Sequence, residues 1–124
     1  MFTLALRKKF IAHHHAAPEI DADHPIRSHL YLLEVMLETE DLDSEGYVLD
    51  LEELEAEVDD ILAQYAHKNL NDTEAFRGRV PTLEAFAQVL GDAINESLYA
   101  PNLTALSVRL WRDEKAWALY DIEK

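Results

Sequence analysis

Apolar and polar positions along the chain define six segments that predict four strands and two helices. Residues 2–12 and 29–40 predict the first two strands, because both runs are rich in apolar residues and lack Gly and Pro. A helix is the competing interpretation of residues 29–40, since Leu, Glu and Met favour helices. As a strand, the second segment would place on one face Tyr31, Leu33, Val35 and Leu37.

Two amphipathic helices are predicted in the middle of the chain. Asp50 and Glu53 have the spacing of a capping box before a helix over residues 51–65. Pro81 and Thr82 mark the start of the second helix, with Thr82 as its N-cap. The apolar stripe of the first helix consists of Leu51, Leu54, Val58, Ile61, Leu62 and Tyr65, and that of the second of Phe86, Val89, Leu90, Ala93 and Ile94.

Two further strands are predicted near residues 103–111 and 116–122, and the RDEK turn between them indicates a hairpin. The element order is therefore β-β-α-α-β-β. We expect one α+β domain over residues 1–124, with a four-stranded antiparallel sheet and both helices on one of its faces.

The composition disfavours or excludes several classes of function. The formal net charge of −14 argues against binding to nucleic acids and against docking on an anionic membrane. The absence of cysteine excludes disulfides, zinc–thiolate sites and cysteine nucleophiles. No apolar run approaches the roughly 20 residues of a membrane helix. The N-terminal segment has its apolar residues before its basic ones, which is the wrong order for a signal peptide, so we expect a cytoplasmic protein.

Candidate chemistry is concentrated in a histidine-rich stretch that the pattern assigns to a long loop over residues 13–28. Such loops often carry function. Three consecutive histidines in a loop are most simply solvated polar residues. However, His14 ends the first predicted strand and His29 begins the second, so the two would converge if those strands pair. With His29 included, this stretch holds five of the six histidines, namely His13, His14, His15, His24 and His29.

Five short segments along the chain carry recognisable patterns. They are FIAHH at 10–14, HLY at 29–31, GYVLDL at 46–51, HKNLN at 67–71 and PTLE at 81–84. In this order they resemble the F-x-A-A-H, H-G-H-x-Y/F, G-M-V-x-D-F, D-H-x-x-L-N and P-T-x-E segments of the 6-pyruvoyl-tetrahydropterin synthase family. That family includes the 6-carboxytetrahydropterin synthases of queuosine biosynthesis, and the β-β-α-α-β-β order is also the family's order.

The resemblance implies a tunnelling fold (T-fold) and zinc-assisted lyase chemistry on a pterin or a related small molecule. It also implies assembly into trimers or hexamers whose sheets close into a barrel. His14 and His29 stand at metal-ligand positions, and His67 at the position of a catalytic histidine. Thr82 and Glu84 match residues at the entry to the second helix, where they would line the substrate pocket.

The chain departs from the family pattern at positions that belong to the implied zinc and substrate site. Arg27 stands where the first histidine of H-G-H would be, and Asp23 where the catalytic cysteine would be. Ala66 replaces the aspartate of D-H, and Leu110 falls where the family has the glutamate that binds the pterin ring. The implied zinc triad, proton relay and substrate anchor are thus each incomplete.

Substitutes for the missing groups are present nearby in the sequence. A catalytic zinc needs about three protein ligands, and His24, beside the rigid Pro25, is the best candidate for the third, with Asp23 second. Asp23 or His24 is also the candidate general base, if buried near the metal. Arg27 would repel a dication, but it could turn outward or bind an anionic group of the substrate.

Three functional hypotheses remain open from the sequence. The first is a divergent pterin-synthase-type enzyme. The second is a binding or structural oligomer that keeps the fold and has lost catalysis, which the absence of a glutamate at Leu110 favours. The third is a changed activity on a substrate without the guanidine-like edge of a pterin.

Overall fold

A computed structural model describes residues 1–15 and 25–124 of the chain. Its elements follow the β-β-α-α-β-β order, with two short 3₁₀ turns, Leu70–Asp72 and Glu74–Phe76, between the helices. Residues 29–39 lie in a strand, so the helical alternative for the segment 29–40 is wrong. The strands and helices are β1 (Phe2–His14), β2 (Arg27–Thr39), α1 (Leu51–Leu62), α2 (Leu83–Ser97), β3 (Leu103–Arg112) and β4 (Ala116–Glu123).

The four strands form one antiparallel sheet in the order β1-β2-β3-β4. One face, here called the inner face, packs against both helices, whereas no helix within residues 1–15 and 25–124 covers the other, outer face. In the single chain the sheet is open, with β1 and β4 at its edges. The fold is therefore the predicted α+β arrangement, with both helices on one face of the sheet.

The core lies between the inner face and the two helices. The predicted face of β2 is confirmed, since all four of its apolar side chains are buried, and α1 and α2 contribute most of their predicted stripes. Leu51 is an exception, because it is the first residue of α1 and is 48% exposed. Lys8, on the inner face of β1, forms ion pairs with Glu55 at 2.7 Å and Asp59 at 3.2 Å and so ties α1 to the sheet.

The strand ends differ from the sequence prediction. β1 continues to His14 and β2 begins at Arg27, so both ends of the predicted loop over residues 13–28 are in fact strand. The cause is backbone pairing, which a side-chain pattern does not reveal: the β1–β2 ladder continues to the pair His14–Arg27. The end of β1 is bonded on its other side as well, where His13 N donates to Lys68 O at 2.9 Å. Within residues 1–15 and 25–124, no helix is long and apolar enough to cross a membrane.

Candidate functional site

The structure brings His14 and His29 together on the inner face, where β1 ends and β2 begins. His29 lies opposite Ala12 in the strand register, and His14 lies opposite Arg27. The two imidazole rings stack with their centroids 4.8 Å apart and their planes at 25°. Directly opposite residues of paired strands share a face, so the register itself places both histidines on one surface.

The imidazole of His14 lies where its protonation is unfavourable. Both of its ring nitrogens are buried and have no hydrogen-bond partner among the described residues. The imidazole is therefore neutral near pH 7, which is the form that binds metals. Its pKa is lowered to about 4, first by burial and then by electrostatic repulsion from His29, Arg112, His15 and Arg27.

His29 is held by an aspartate from the opposite end of the chain. Its Nδ1 donates a hydrogen bond to Asp113 Oδ2, in the turn between β3 and β4. Burial acts to raise the pKa of Asp113, but the hydrogen bonds from His29 and from the backbone of Leu30 outweigh it and hold that pKa below its ordinary value. Sequence reasoning identified this turn but missed the role of Asp113. A signal was available, because pairing β2 with β3 brings residues 112–113 beside residues 30–31.

Two arginines stand beside the histidine pair. Arg27 lies opposite His14 in the register, and Arg112 lies opposite Tyr31. Burial raises the pKa of Tyr31 to about 12, and the positive charge of Arg112 opposes this rise. Leu110 is fully buried and pairs with Leu33, so it belongs to the core. The inward-facing residue of β3 at the site is Arg112, which the sequence analysis did not single out.

The start of α2 lies over the same end of the sheet. Phe86, one turn into α2, packs edge-on against Tyr31 with ring centroids 5.3 Å apart. Thr82 caps the helix as predicted, its Oγ1 accepting a hydrogen bond from Ala85 N at 3.0 Å. Thr82 and Glu84 are both exposed. No hydrogen bond between described residues joins either of them to the histidines, so their substrate-binding role stays a prediction.

His67 lies beside β1 rather than in the histidine pair. Its side chain is exposed, and its backbone has a positive φ of 62°, a conformation uncommon for residues other than glycine. Its backbone N–H pairs with Ile11, three residues before His14. Among the described residues no ring contact or hydrogen bond links His67 to His14 or His29, and its catalytic role stays a prediction.

The remaining histidines of the stretch have separate partners. His13 shares a 2.6 Å hydrogen bond with Ser28 Oγ on the outer face, so it points away from His14. His15 is buried, and its backbone is clamped by the side chain of Asn71, which accepts from His15 N at 2.9 Å and donates to His15 O at 3.0 Å. Asn71 thereby fixes the end of β1 next to His14.

A metal at this site has two fitting ligands among the described residues. His14 offers buried, unpartnered nitrogens, and the contact of His29 Nδ1 with Asp113 leaves its Nε2 available. No group of three His, Cys, Asp or Glu residues suited to a metal occurs within residues 1–15 and 25–124. The predicted third ligand His24 and the alternative Asp23 lie outside the described residues.

Comparisons with known proteins agree with the fold. The structure superposes on the 6-pyruvoyl tetrahydropterin synthase of Plasmodium falciparum with a TM-score of 0.82 at 10% identity, covering 99% of this chain and 98% of that one. A catalytic-residue mutant of the Plasmodium vivax enzyme gives 0.81 at 14% identity, with 99% and 98% coverage. The Caenorhabditis elegans enzyme gives 0.74 at 21% identity, with 99% and 95% coverage.

At these identities the structural likeness shows the fold alone. No curated protein sequence matches the chain significantly. The family model for 6-pyruvoyl tetrahydropterin synthase matches residues 3–123, nearly the whole sequence. The chain therefore belongs to the 6-pyruvoyl tetrahydropterin synthase family.

Proposed function

We propose that the protein is a divergent pterin-synthase-type enzyme with zinc-assisted lyase chemistry on a pterin or a related small molecule, acting in the cytoplasm. The observation that carries the proposal is the pair of stacked imidazoles of His14 and His29 at the end of the sheet. One ring is neutral and has no partner among the described residues, and the other is oriented by a carboxylate. Buried polar groups without partners are costly in a fold, and such sites are commonly functional.

His14 and His29 would hold the metal, with His24 as the proposed third ligand. When bound, zinc supplies a Lewis acid that polarises a substrate oxygen. The chain's own residues would bind the metal and shape the site: the two histidines present neutral nitrogens, and the inner-face side chains around them exclude water. The buried ring of Tyr31 lies edge-on to His29, and the buried Phe86 packs against Tyr31, which supports an apolar wall on this side.

Proton transfer is assigned to Asp23 and His67. Both positions correspond by resemblance to the family's proton relay, and a carboxylate at position 23 would replace a thiol as the base. The Plasmodium vivax relative is described as a mutant in which a catalytic glutamate was replaced, which supports a carboxylate in this role. A general base is effective when its pKa lies near the working pH.

The substrate is proposed to contact Thr82, Glu84 and Arg27, together with Arg112. Two guanidinium groups beside one site in a chain of net charge −14 support a substrate with an anionic group at this end. Arginine binds carboxylates and phosphates through parallel hydrogen bonds. The buried Leu110 supports a substrate that is not held through a guanidine-like edge at that position.

Metal content and ligand binding test the proposal together. The untagged protein, purified without chelators, is expected to contain close to one zinc per chain, and His14→Ala and His29→Ala to lose it. His13→Ala is the matched control, since His13 faces the other side of the sheet. Less than about a tenth of an equivalent of zinc in the native protein would contradict a structural or catalytic zinc, because such sites bind metal tightly.

A second candidate function is a binding or structural subunit that keeps the fold without catalysis. It is favoured by Arg27 at a ligand position and by the lack of a three-residue metal group within the described residues. Titration with dihydropterins and deazaguanine precursors separates the two functions. Binding that weakens in His14→Ala supports the enzyme, and no binding of any pterin or purine analogue supports the second candidate.

Assembly into a trimer or hexamer is part of the proposal. The outer face of the sheet exposes large apolar side chains, among them Leu30, Trp117 and Leu119. Open edges and a bare apolar face are liabilities that barrel closure removes. Sedimentation equilibrium at micromolar concentration should give a mass of three or six chains, and a monomer would contradict the assembly.

A further inference from the structure

We infer that Asp113 is the positioning residue of His29, keeping the ring proton on Nδ1 so that Nε2 carries the free electron pair into the site. What Nε2 then binds rests on the proposed function, whereas the orientation of the ring does not. Neither the family resemblance nor the sequence pattern assigned a role to this residue.

Asp113 is fixed to the start of β2 at three points. Its backbone N–H donates to Leu30 O at 2.8 Å, its Oδ1 accepts from Leu30 N at 3.0 Å, and its Oδ2 accepts from His29 Nδ1. The backbone contact and the contact of Oδ1 together hold the carboxylate in place. Oδ2 therefore has little freedom, so the imidazole is oriented by a group that is already rigid.

The turn that carries Asp113 is in a conformation that its residues do not favour. Asp113 has φ of 53° and Glu114 φ of 62°, two consecutive positive values that hairpin turns usually obtain from Asn-Gly, here within a three-residue loop between the paired residues Arg112 and Ala116. Neither residue is glycine, so the turn carries backbone strain. Strain of this kind persists where surrounding contacts maintain it and is concentrated at functional sites. The contacts of Asp113 with Leu30 and His29 are such contacts.

The chemistry of the carboxylate determines the tautomer. An ionised aspartate can only accept hydrogen bonds, so a neutral His29 must carry its proton on Nδ1. Carboxylates that accept from metal-binding histidines orient the ring and raise its basicity. An amide at position 113 would reverse the arrangement, because its NH₂ group would donate to Nδ1 and move the proton to Nε2.

Asp113→Asn is therefore the decisive variant. Its side-chain oxygen can still accept from Leu30 N, so the pairing of β2 with the turn is retained. Asp121→Asn is the matched control: it removes the same charge from the same hairpin, at an exposed position of β4. Circular dichroism and thermal unfolding establish that both variants are folded.

The first readout is the tautomer of His29 in metal-free protein. Proton–nitrogen NMR spectra of the histidine rings, recorded in mildly alkaline buffer, distinguish the two tautomers, and His29→Gln identifies the signal. We expect the proton on Nδ1 in the native protein and in Asp121→Asn, and on Nε2 in Asp113→Asn. A native His29 with its proton on Nε2, or doubly protonated, would overturn the inference, as would an unchanged tautomer in Asp113→Asn.

The second readout is zinc affinity, measured by competition with a chromophoric chelator. Asp113→Asn should weaken zinc binding on the order of 10- to 100-fold, and Asp121→Asn should not. If the native protein binds no zinc, the proposed metal site fails while the NMR result still decides the role of Asp113. If it binds zinc and Asp113→Asn binds equally well, the positioning role fails and the metal site stands.

Discussion

The ring of Tyr120, on β4, packs directly onto the backbone of α2 at Gly91. A Cβ atom on Gly91 would lie 2.6 Å from Cδ2 of Tyr120 and 3.2 Å from Cγ2 of Val108. Glycine inside a helix costs about 1 kcal/mol relative to alanine, so its use here has a packing reason. This close approach brings α2 onto β3 and β4.

Gly91→Ala should therefore destabilise the protein although it improves helix propensity. Overpacking a close contact costs about 1–3 kcal/mol, against a gain of about 1 kcal/mol from the helix. Urea unfolding measures the difference. In a Tyr120→Val background the clash is absent, and the same substitution should become neutral or stabilising. An equal loss in both backgrounds would show that the ring of Tyr120 is not the cause.

Tyr120 also makes a polar contact with α2. Its hydroxyl donates to Asp92 Oδ1 at 2.7 Å, and this hydrogen bond, followed by burial, raises the pKa of Tyr120. A raised pKa in the folded state contributes stability below the unfolded value of about 10, and this contribution is lost as the pH rises through the folded pKa.

The stability difference between the native protein and Tyr120→Phe should thus be constant from neutral pH to about 10 and shrink above it. Thermal unfolding across this range measures it, and ultraviolet difference titration against Tyr120→Phe gives the ionisation of this phenol directly. Tyr99→Phe is the control, at a residue that is 90% exposed. Ionisation of Tyr120 at or below the ordinary tyrosine value would contradict the hydrogen bond.

The strained turn after β3 offers a stabilising substitution. Glu114 is exposed and has a left-handed backbone, which costs a residue with a Cβ about 1–2 kcal/mol. Glu114→Gly removes this cost but adds chain entropy, so we expect a net gain of about 0.5–1 kcal/mol in the free energy of unfolding. Glu114→Ala keeps the Cβ and should give no gain. If both variants are equally stable, the turn is not strained at this position.

The sequence was sufficient for the architecture because the relevant signals are local. The alternation of Leu33 and Val35 with outward residues and the capping positions Asp50 and Thr82 depend on neighbours a few residues away, and all are confirmed by the structure. These patterns specify strands, helices and their buried faces before any tertiary contact is known.

The candidate site depends instead on contacts that no local pattern contains. Asp113 reaches His29 across 84 positions of the chain, and that contact follows only from the β2–β3 register. The strand at His13 is paired with Ser28 of β2 on one side and is bonded to Lys68, from beyond α1, on the other. Register is set by the packed faces and turns together, so these residues could be identified only after the sheet was assembled.

Arg27 lies next to the metal site proposed at the histidine pair. It lies directly opposite His14 and two residues before His29, on the same face of the sheet. An imidazole at this position would face His14 across the strands, whereas the guanidinium adds positive charge beside any dication. Arg27→His should therefore raise zinc affinity by about an order of magnitude or more, since it adds a ligand and removes a fixed charge.

Arg27→Gln separates these two contributions, because it removes the charge without adding a ligand. Competition with a chromophoric chelator measures both variants against the native protein. The expected order of zinc affinity is Arg27→His, then Arg27→Gln, then the native chain. Equal affinity of the two variants would mean that an imidazole at residue 27 does not reach the metal, so that only the charge at this position matters. Unchanged affinity in Arg27→Gln alone would mean that the guanidinium points away, leaving it available for an anionic substrate group.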